Sequence, residues 1–166
     1  MESSPLAFAP VFGVGRHMTE DGDWRRHLIE DTDGIRRIIA DTKRIAVLGM
    51  KTDPDQPAYY VPEYAHSEGM TIVPVPVYYP DVTEIMGEPV YRRVADVPGD
   101  VDMVNVFRRS YDVPPHVDDI IAKRPKVVWM QLGIRNDAAA ERLAKAGIDV
   151  VQDRCLLVEM RRMKRG

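Results

Sequence analysis

The chain has 166 residues, 45% of them hydrophobic and 30% charged, with a net charge of −3 and a single cysteine. That is enough chain to bury a core in one domain, and the slightly acidic balance excludes a broad nucleic-acid footprint. Cys155 has no partner for an internal disulfide, which fits a reducing cytoplasm or simply a core that needs no bridge, and no apolar run reaches the length of a membrane span.

Residues 1–30 read as an N-terminal arm, and residues 31–166 as the domain. The arm opens "MESSPLAFAPVFGVGRHM", with Glu2 near its start and no long apolar stretch, so no signal peptide is expected. Leu6, Phe8, Val11 and Phe12 are costly to leave in water. The arm is therefore expected to pack on the body or on a partner chain, which suggests a homodimer. "DWRRHLIED" reads as a short helix. A clearer helix begins at Thr32 or Asp33, with Ile35, Ile38 and Ile39 on one face.

Strands and helices then alternate. "RIAVLG" is a buried strand, and Tyr59 to His66 a helix with Pro57 near its start and Gly69 at its stop. "MTIVPVPV" is a second strand, followed by a Tyr- and Pro-rich loop and a short third strand around "EPVY". "VDMVNVF" is the fourth strand, "PPHVDDIIAKR" a helix, and "KVVWMQLG" the fifth strand. Asn136 caps the helix "NDAAAERLAKAG", which ends at Gly147. "IDVVQD" is the last strand, and "CLLVEMRRMKR" a closing helix with its cations at the partial-negative end. This alternation predicts an α/β fold: a doubly wound parallel sheet, Rossmann-like, in a single domain with an N-terminal extension.

In such a sheet a ligand binds past the carboxyl ends of the strands, where the winding reverses. In a 3-2-1-4-5 order that point lies between the first and fourth strands. Gly49 to Tyr60 and Phe107-Arg108-Arg109-Ser110 converge there, with Gln131-Leu132-Gly133 beside them. Gly49 lets backbone approach a ligand closely. The helix after Pro57 offers free N–H groups and a positive dipole end. Lys51, Arg108 and Arg109 add charge, so the three segments together suit a phosphate. A glycine here also serves simply as a turn, and an arginine pair as a solvated edge. A nicotinamide or flavin dinucleotide fits less well, because G-x-G-x-x-G is absent. The acid that would hold a ribose diol is missing too: Val75-Pro76-Val77-Tyr78-Tyr79-Pro80 runs without one until Asp81. Tyr78 or Tyr79 can stack on a base or pack within the loop.

The segments "IAVLGMKTDPDQPAYYVPEYAHSEGMTIVPV", "VDMVNVFRRS" and "KVVWMQLGIRNDAAAERLAKAGIDVVQDRC" resemble the small stand-alone CoA-binding proteins. Their fold is similar to the CoA-binding domain of the succinyl-CoA synthetase alpha subunit. The resemblance covers roughly residues 30–163. It rests on the order of a G-x-x-x-x-P-x-x-P loop, V-F-R-R, W-x-Q-L-G and D-R-C. It implies coenzyme A, or an acyl-CoA, as ligand. The diphosphate would lie over Gly49, Met50, Lys51 and Thr52, with Pro57 and Tyr59 nearby. Val106, Phe107, Arg108 and Arg109 would form a second wall, and Gln131, Leu132 and Gly133 a third. Where family members often read V-N-P-K, this chain reads Val75-Pro76-Val77-Tyr78. A lost charged hydrogen bond is worth about 1.5–3 kcal/mol, which leaves three readings open: weaker CoA binding, compensation by stacking on Tyr78, or an acyl-CoA or another nucleotide in place of CoA.

No catalytic or metal residues are expected. His17, His27, His66 and His116 stand apart from any ligand-spaced Cys or carboxylate, and there is no G-x-S-x-G elbow. Cys155 opens a helix, where a thiol is activated, but a small buried side chain at a strand–helix junction is the plainer reading. The basic end Arg161-Arg162-Met163-Lys164-Arg165 lacks interleaved aromatics and reads as a helix terminus. The sequence thus points to a non-catalytic cytoplasmic binder of CoA or acyl-CoA, without nucleic-acid or membrane partners. Two alternatives stay open: a subunit of an acyl-CoA or nucleotide-dependent enzyme completed by a partner, and an NAD(H)-binding redox protein.

Overall fold

The structure, a computed structural model, describes residues 23–165. Most of the arm, including Leu6, Phe8, Val11, Phe12 and His17, lies outside the described residues. "DWRRHLIED" forms a single 3-10 turn, Trp24–His27, rather than an α-helix. Leu28 then bridges to Val150 and Ile29 N–H donates to the Val150 carbonyl at 2.9 Å, so this segment lines the last edge of the sheet.

The sheet and its helices follow the predicted alternation. Helix α1 is Thr32–Asp41 and strand β1 is Arg44–Leu48. Helix α2, Pro57–Ser67, leads to β2, Thr71–Val75. A small antiparallel pair, β3 (Glu84–Ile85) and β4 (Glu88–Pro89), comes next. Then follow β5 (Met103–Val106), α3 (Val117–Lys123), β6 (Val127–Met130), α4 (Asp137–Lys145), β7 (Asp149–Val151) and α5 (Leu156–Arg165). The main sheet is parallel, in the order β2-β1-β5-β6-β7.

One expectation needs correction. The "EPVY" strand does not enter the main sheet, so the order is not of the 3-2-1-4-5 type. Residues 84–89 are too short to span the sheet and pair only with each other. They lie alongside the β2 edge, where Tyr91 N–H reaches the Pro74 carbonyl at 3.0 Å. An edge also suits Pro74, which has no N–H for a second neighbour. The predicted reversal point survives: β1 leads outward to β2 and back across to β5, so it lies between β1 and β5.

The two faces bury different sets. Ala46, Leu48, Val73, Val104, Val106, Val128 and Met130 face α3 and α4, through Val117, Ile120, Ala140 and Leu143. Ile45, Val47, Ile72, Met103, Trp129 and Val151 face α1, α2 and α5, through Ile35, Ile39, Val61, Leu156 and Met160. Burial on both faces explains why the strands read as continuous apolar runs instead of alternating. Register aligns Leu48 with Val75 and with Val106, and Val106 with Met130. The loops after β1, β2, β5 and β6 therefore leave the sheet at one end.

Candidate functional site

At that end, Gly49 forces a close approach. Its N–H donates to the Val75 carbonyl at 2.8 Å, and its φ of +87° lies in a region other residues avoid. A Cβ here would stand 2.6 Å from the Phe107 carbonyl oxygen. The chain after β1 can fold down over β5 only because position 49 has no side chain. Lys51 N–H then meets the Ala58 carbonyl at 3.3 Å, tying the loop to the start of α2. Gln56 leaves that start without a side-chain cap, and Pro57 follows it.

Beside this turn is a cleft of about 400 Å³. It gathers Lys51, Pro57, Phe107, Arg108, Arg109, Gln131, Leu132 and Gly133 from three loops. Gln56, Ala58, Ser110 and Ile134 complete the lining; the first three lie in segments the sequence had placed there, and Ile134 does not. Leu132, 67% exposed, forms an apolar lip. Two other clefts border Trp24 at the β7 edge, away from the switch point.

The remaining sequence-predicted positions lie outside the cleft lining. Met50 is fully buried in the core under α2, as are Val75 and Val106 in the sheet. Pro76 is buried, Tyr59 is half-buried against the core, and Thr52 is exposed. Tyr78 is 52% exposed on the far side of Gly49. Its loop is held from behind by Arg92, whose guanidinium donates to the carbonyls of Tyr78, Tyr79, Pro80 and Val82 at 2.6–3.3 Å.

The two arginines differ. Arg109 is 67% exposed, its Nε 2.8 Å from Asp112 Oδ2 and its guanidinium over the Tyr111 ring at 4.7 Å. Arg108 is 16% exposed and stands 5.8 Å over the Tyr78 ring. Its Nη1 reaches the Tyr78 hydroxyl at 3.4 Å and its Nη2 lies 3.8 Å from Asp112 Oδ2. Its Nε is buried with no hydrogen-bond partner among the described residues. Behind it, His116 titrates below its usual range, because burial and then the Arg108 charge disfavour protonation.

Beneath the cleft, the Gln131 oxygen turns inward, accepting from Asn105 Nδ2 at 3.4 Å and Leu156 N–H at 3.3 Å. The D-R-C segment is a junction. Asp153 accepts the Gly133 N–H at 2.6 Å, and the Arg154 carbonyl accepts the indole N–H of Trp129 at 2.8 Å. Cys155 is partly buried beside them. Among the described residues no three His, Cys, Asp or Glu side chains gather as a metal site, and no helix is long and apolar enough to cross a membrane.

The CoA binding domain family matches residues 43–161, well over half the chain and all of this site. The chain belongs to the CoA-binding domain family. It is similar to YneT, an uncharacterized protein of Bacillus subtilis (strain 168), with 33% identity over 70% of this chain and 84% of that one. It is similar in structure to cell-free ID.343 from Thermus thermophilus, at TM-score 0.75 and 38% identity over 81% of this chain and 99% of that one. The dinucleotide forming acetyl-coenzyme A synthetase 1 of Ca. Korarchaeum cryptofilum shares the fold over 65% of this chain and 25% of its own, at TM-score 0.56 and 23% identity. The cleft's residues fit the family's ligand on one count, the buried Arg108 Nε without a hydrogen-bond partner among the described residues; the space beside Gly49 is already filled by the Phe107 carbonyl.

Proposed function

We propose that the protein is a cytoplasmic binder of coenzyme A or an acyl-CoA and catalyses no reaction of its own. The observation that carries this reading is the convergence of Lys51, Arg108 and the uncapped start of α2 on one cleft over Gly49. Two phosphates need what that arrangement supplies, a positive helix end and nearby cations, although the Tyr59 and Tyr60 N–H groups already bond the Gln56 carbonyl. Phe107, Leu132 and Ile134 offer an apolar track suited to a pantetheine arm. Tyr78, exposed beyond the turn, offers a face for the base. CoA itself brings the thiol chemistry; the protein's part is to hold and orient it. A homodimer formed through the arm is a separate proposal; a monomeric mass at micromolar protein, with the arm intact, would sink the dimer and leave the CoA reading standing.

Thermal melting tests the reading, since a ligand that binds only the native state stabilises it by about 2.7 kcal/mol at one hundred times its Kd. Saturating CoA should raise the melting temperature by several degrees. An unchanged melting temperature would refute it. A second reading, a subunit completed by a partner enzyme chain, draws on the fold's presence as a quarter of the Korarchaeum synthetase. Co-purification of a ligase-like chain in constant ratio would favour that reading.

A further inference from the structure

The Arg108 side chain crosses the crevice. It starts on the loop after β5 and passes Gly49, where its Cδ would stand 3.4 Å from a Cβ at that position. It ends at Tyr78, on the loop after β2. The guanidinium thus lies over the end of β1, between the cleft and the Tyr78 face. A ligand reaching from one to the other must pass under or displace it.

Its present bonds are poor. A guanidinium has five donors, and charge-assisted bonds normally measure about 2.7–2.9 Å. Among the described residues, Arg108 has contacts of 3.4 and 3.8 Å and a buried Nε with no partner. Arg109 also lines the cleft, but its guanidinium is engaged: it holds Asp112 at 2.8 Å and stands over the Tyr111 ring. Both arginines face the same Asp112 oxygen, and Arg109 holds it at the shorter distance. On the other side, the four carbonyl contacts of Arg92 fix the loop that carries Tyr78.

We infer that Arg108, not Arg109, is the anion-binding residue of this site, and that Tyr78 is its resting place, given up when a nucleoside diphosphate group enters over Gly49. The inference rests on the CoA reading for the identity of the ligand, and on diphosphate chemistry alone for the role of Arg108. Tyr78 keeps the guanidinium desolvated and aimed; the incoming phosphate oxygens supply the bonds it lacks.

Calorimetric titration of the full chain with CoA, ADP, inorganic pyrophosphate and pantetheine tests this, on wild type and on Arg108→Gln, Arg109→Gln and Tyr78→Phe. Arg108→Gln should weaken CoA and ADP by about tenfold or more and leave any pantetheine binding unchanged. Arg109→Gln, which removes a cation already engaged by Asp112, should weaken each less than Arg108→Gln does; a loss equal to or larger than that of Arg108→Gln would overturn the assignment. Tyr78→Phe keeps the ring and removes the competing hydroxyl, so it should bind at least as tightly as wild type. Arg108→Lys, which keeps the charge without the planar fork, should fall between wild type and Arg108→Gln. CoA binding that Arg108→Gln leaves intact would overturn the inference and spare the CoA reading. ADP or pyrophosphate binding that depends on Arg108, with no CoA binding, would do the reverse. A Tyr78→Phe loss as large as that of Arg108→Gln would make the hydroxyl a ligand group and overturn the resting-place role, and silence from every anion would overturn both ideas.

Discussion

Gly49 holds two constraints at once, a positive φ and a carbonyl where its Cβ would be. Gly49→Ala should therefore cost about 2 kcal/mol or more in chemical denaturation, with anion binding weakened as the turn lifts from β5. His116 sets a pH dependence. Its pKa is lowered from the usual 6.5 by burial and by Arg108, against smaller raising effects of Asp119 and Asp112. The unfolded chain then takes up the proton first, so stability is full above about pH 6.5 and falls as pH drops through the folded pKa. His116→Gln should flatten that part of a stability–pH profile; an unchanged slope would show that His116 does not set it. At this scale the sequence was informative about Gly49, because a glycine after a buried strand has few roles. It was silent on the arginine pair, since adjacent residues of an extended segment face opposite ways. Only the fold shows that Asp112 holds Arg109 and leaves Arg108 over Gly49.

Among the elements, α4 depends on one residue for three connections. Asn136 Oδ1 accepts the Ala139 N–H at 2.9 Å, its Nδ2 donates to the Ser110 carbonyl at 3.0 Å, and its own N–H reaches Gln152 Oε1 at 2.8 Å. Asn136→Ala should lose about 1–2 kcal/mol and loosen Ser110 at the cleft. Asn136→Ser, which can keep the cap alone, should lose less. The cap was legible from the pattern Asn-Asp-Ala-Ala before an amphipathic run. The cross-link to Ser110 was not, because it joins residues 26 apart in sequence. The loop after β2 is similar. Arg92→Ala should speed amide exchange at Val82, whose N–H pairs with the Tyr79 carbonyl at 3.1 Å; unchanged protection would mean Arg92 does not hold the loop. Strand "EPVY" misled because β propensity says nothing of which sheet a short segment joins, and the 3-10 turn at Trp24 because four residues barely show a period.

For the whole molecule, the alternation of apolar strands and amphipathic helices was enough to give a doubly wound sheet, and with it the switch point between β1 and β5. That conclusion tolerated a miscounted strand because the reversal depends on β1, β2 and β5 alone. Stability at low pH has a component away from the site. Burial pushes Asp102 up, but the N–H groups of Lys43 and Arg44 and the Lys126 ammonium outweigh it and hold the carboxyl below its usual 3.8. Its contribution is present above that value and lost as pH falls through the folded pKa. Asp102→Ala should cost about 1–2 kcal/mol near neutral pH, a loss that shrinks in acid. The cleft's occupant is a separate matter, since folds host many ligands. Calorimetric titration of ligand-stripped protein with CoA and, in parallel, with NAD addresses it most directly. The account predicts saturable binding of one CoA per chain and none of NAD; saturable NAD binding with no CoA heat would contradict it.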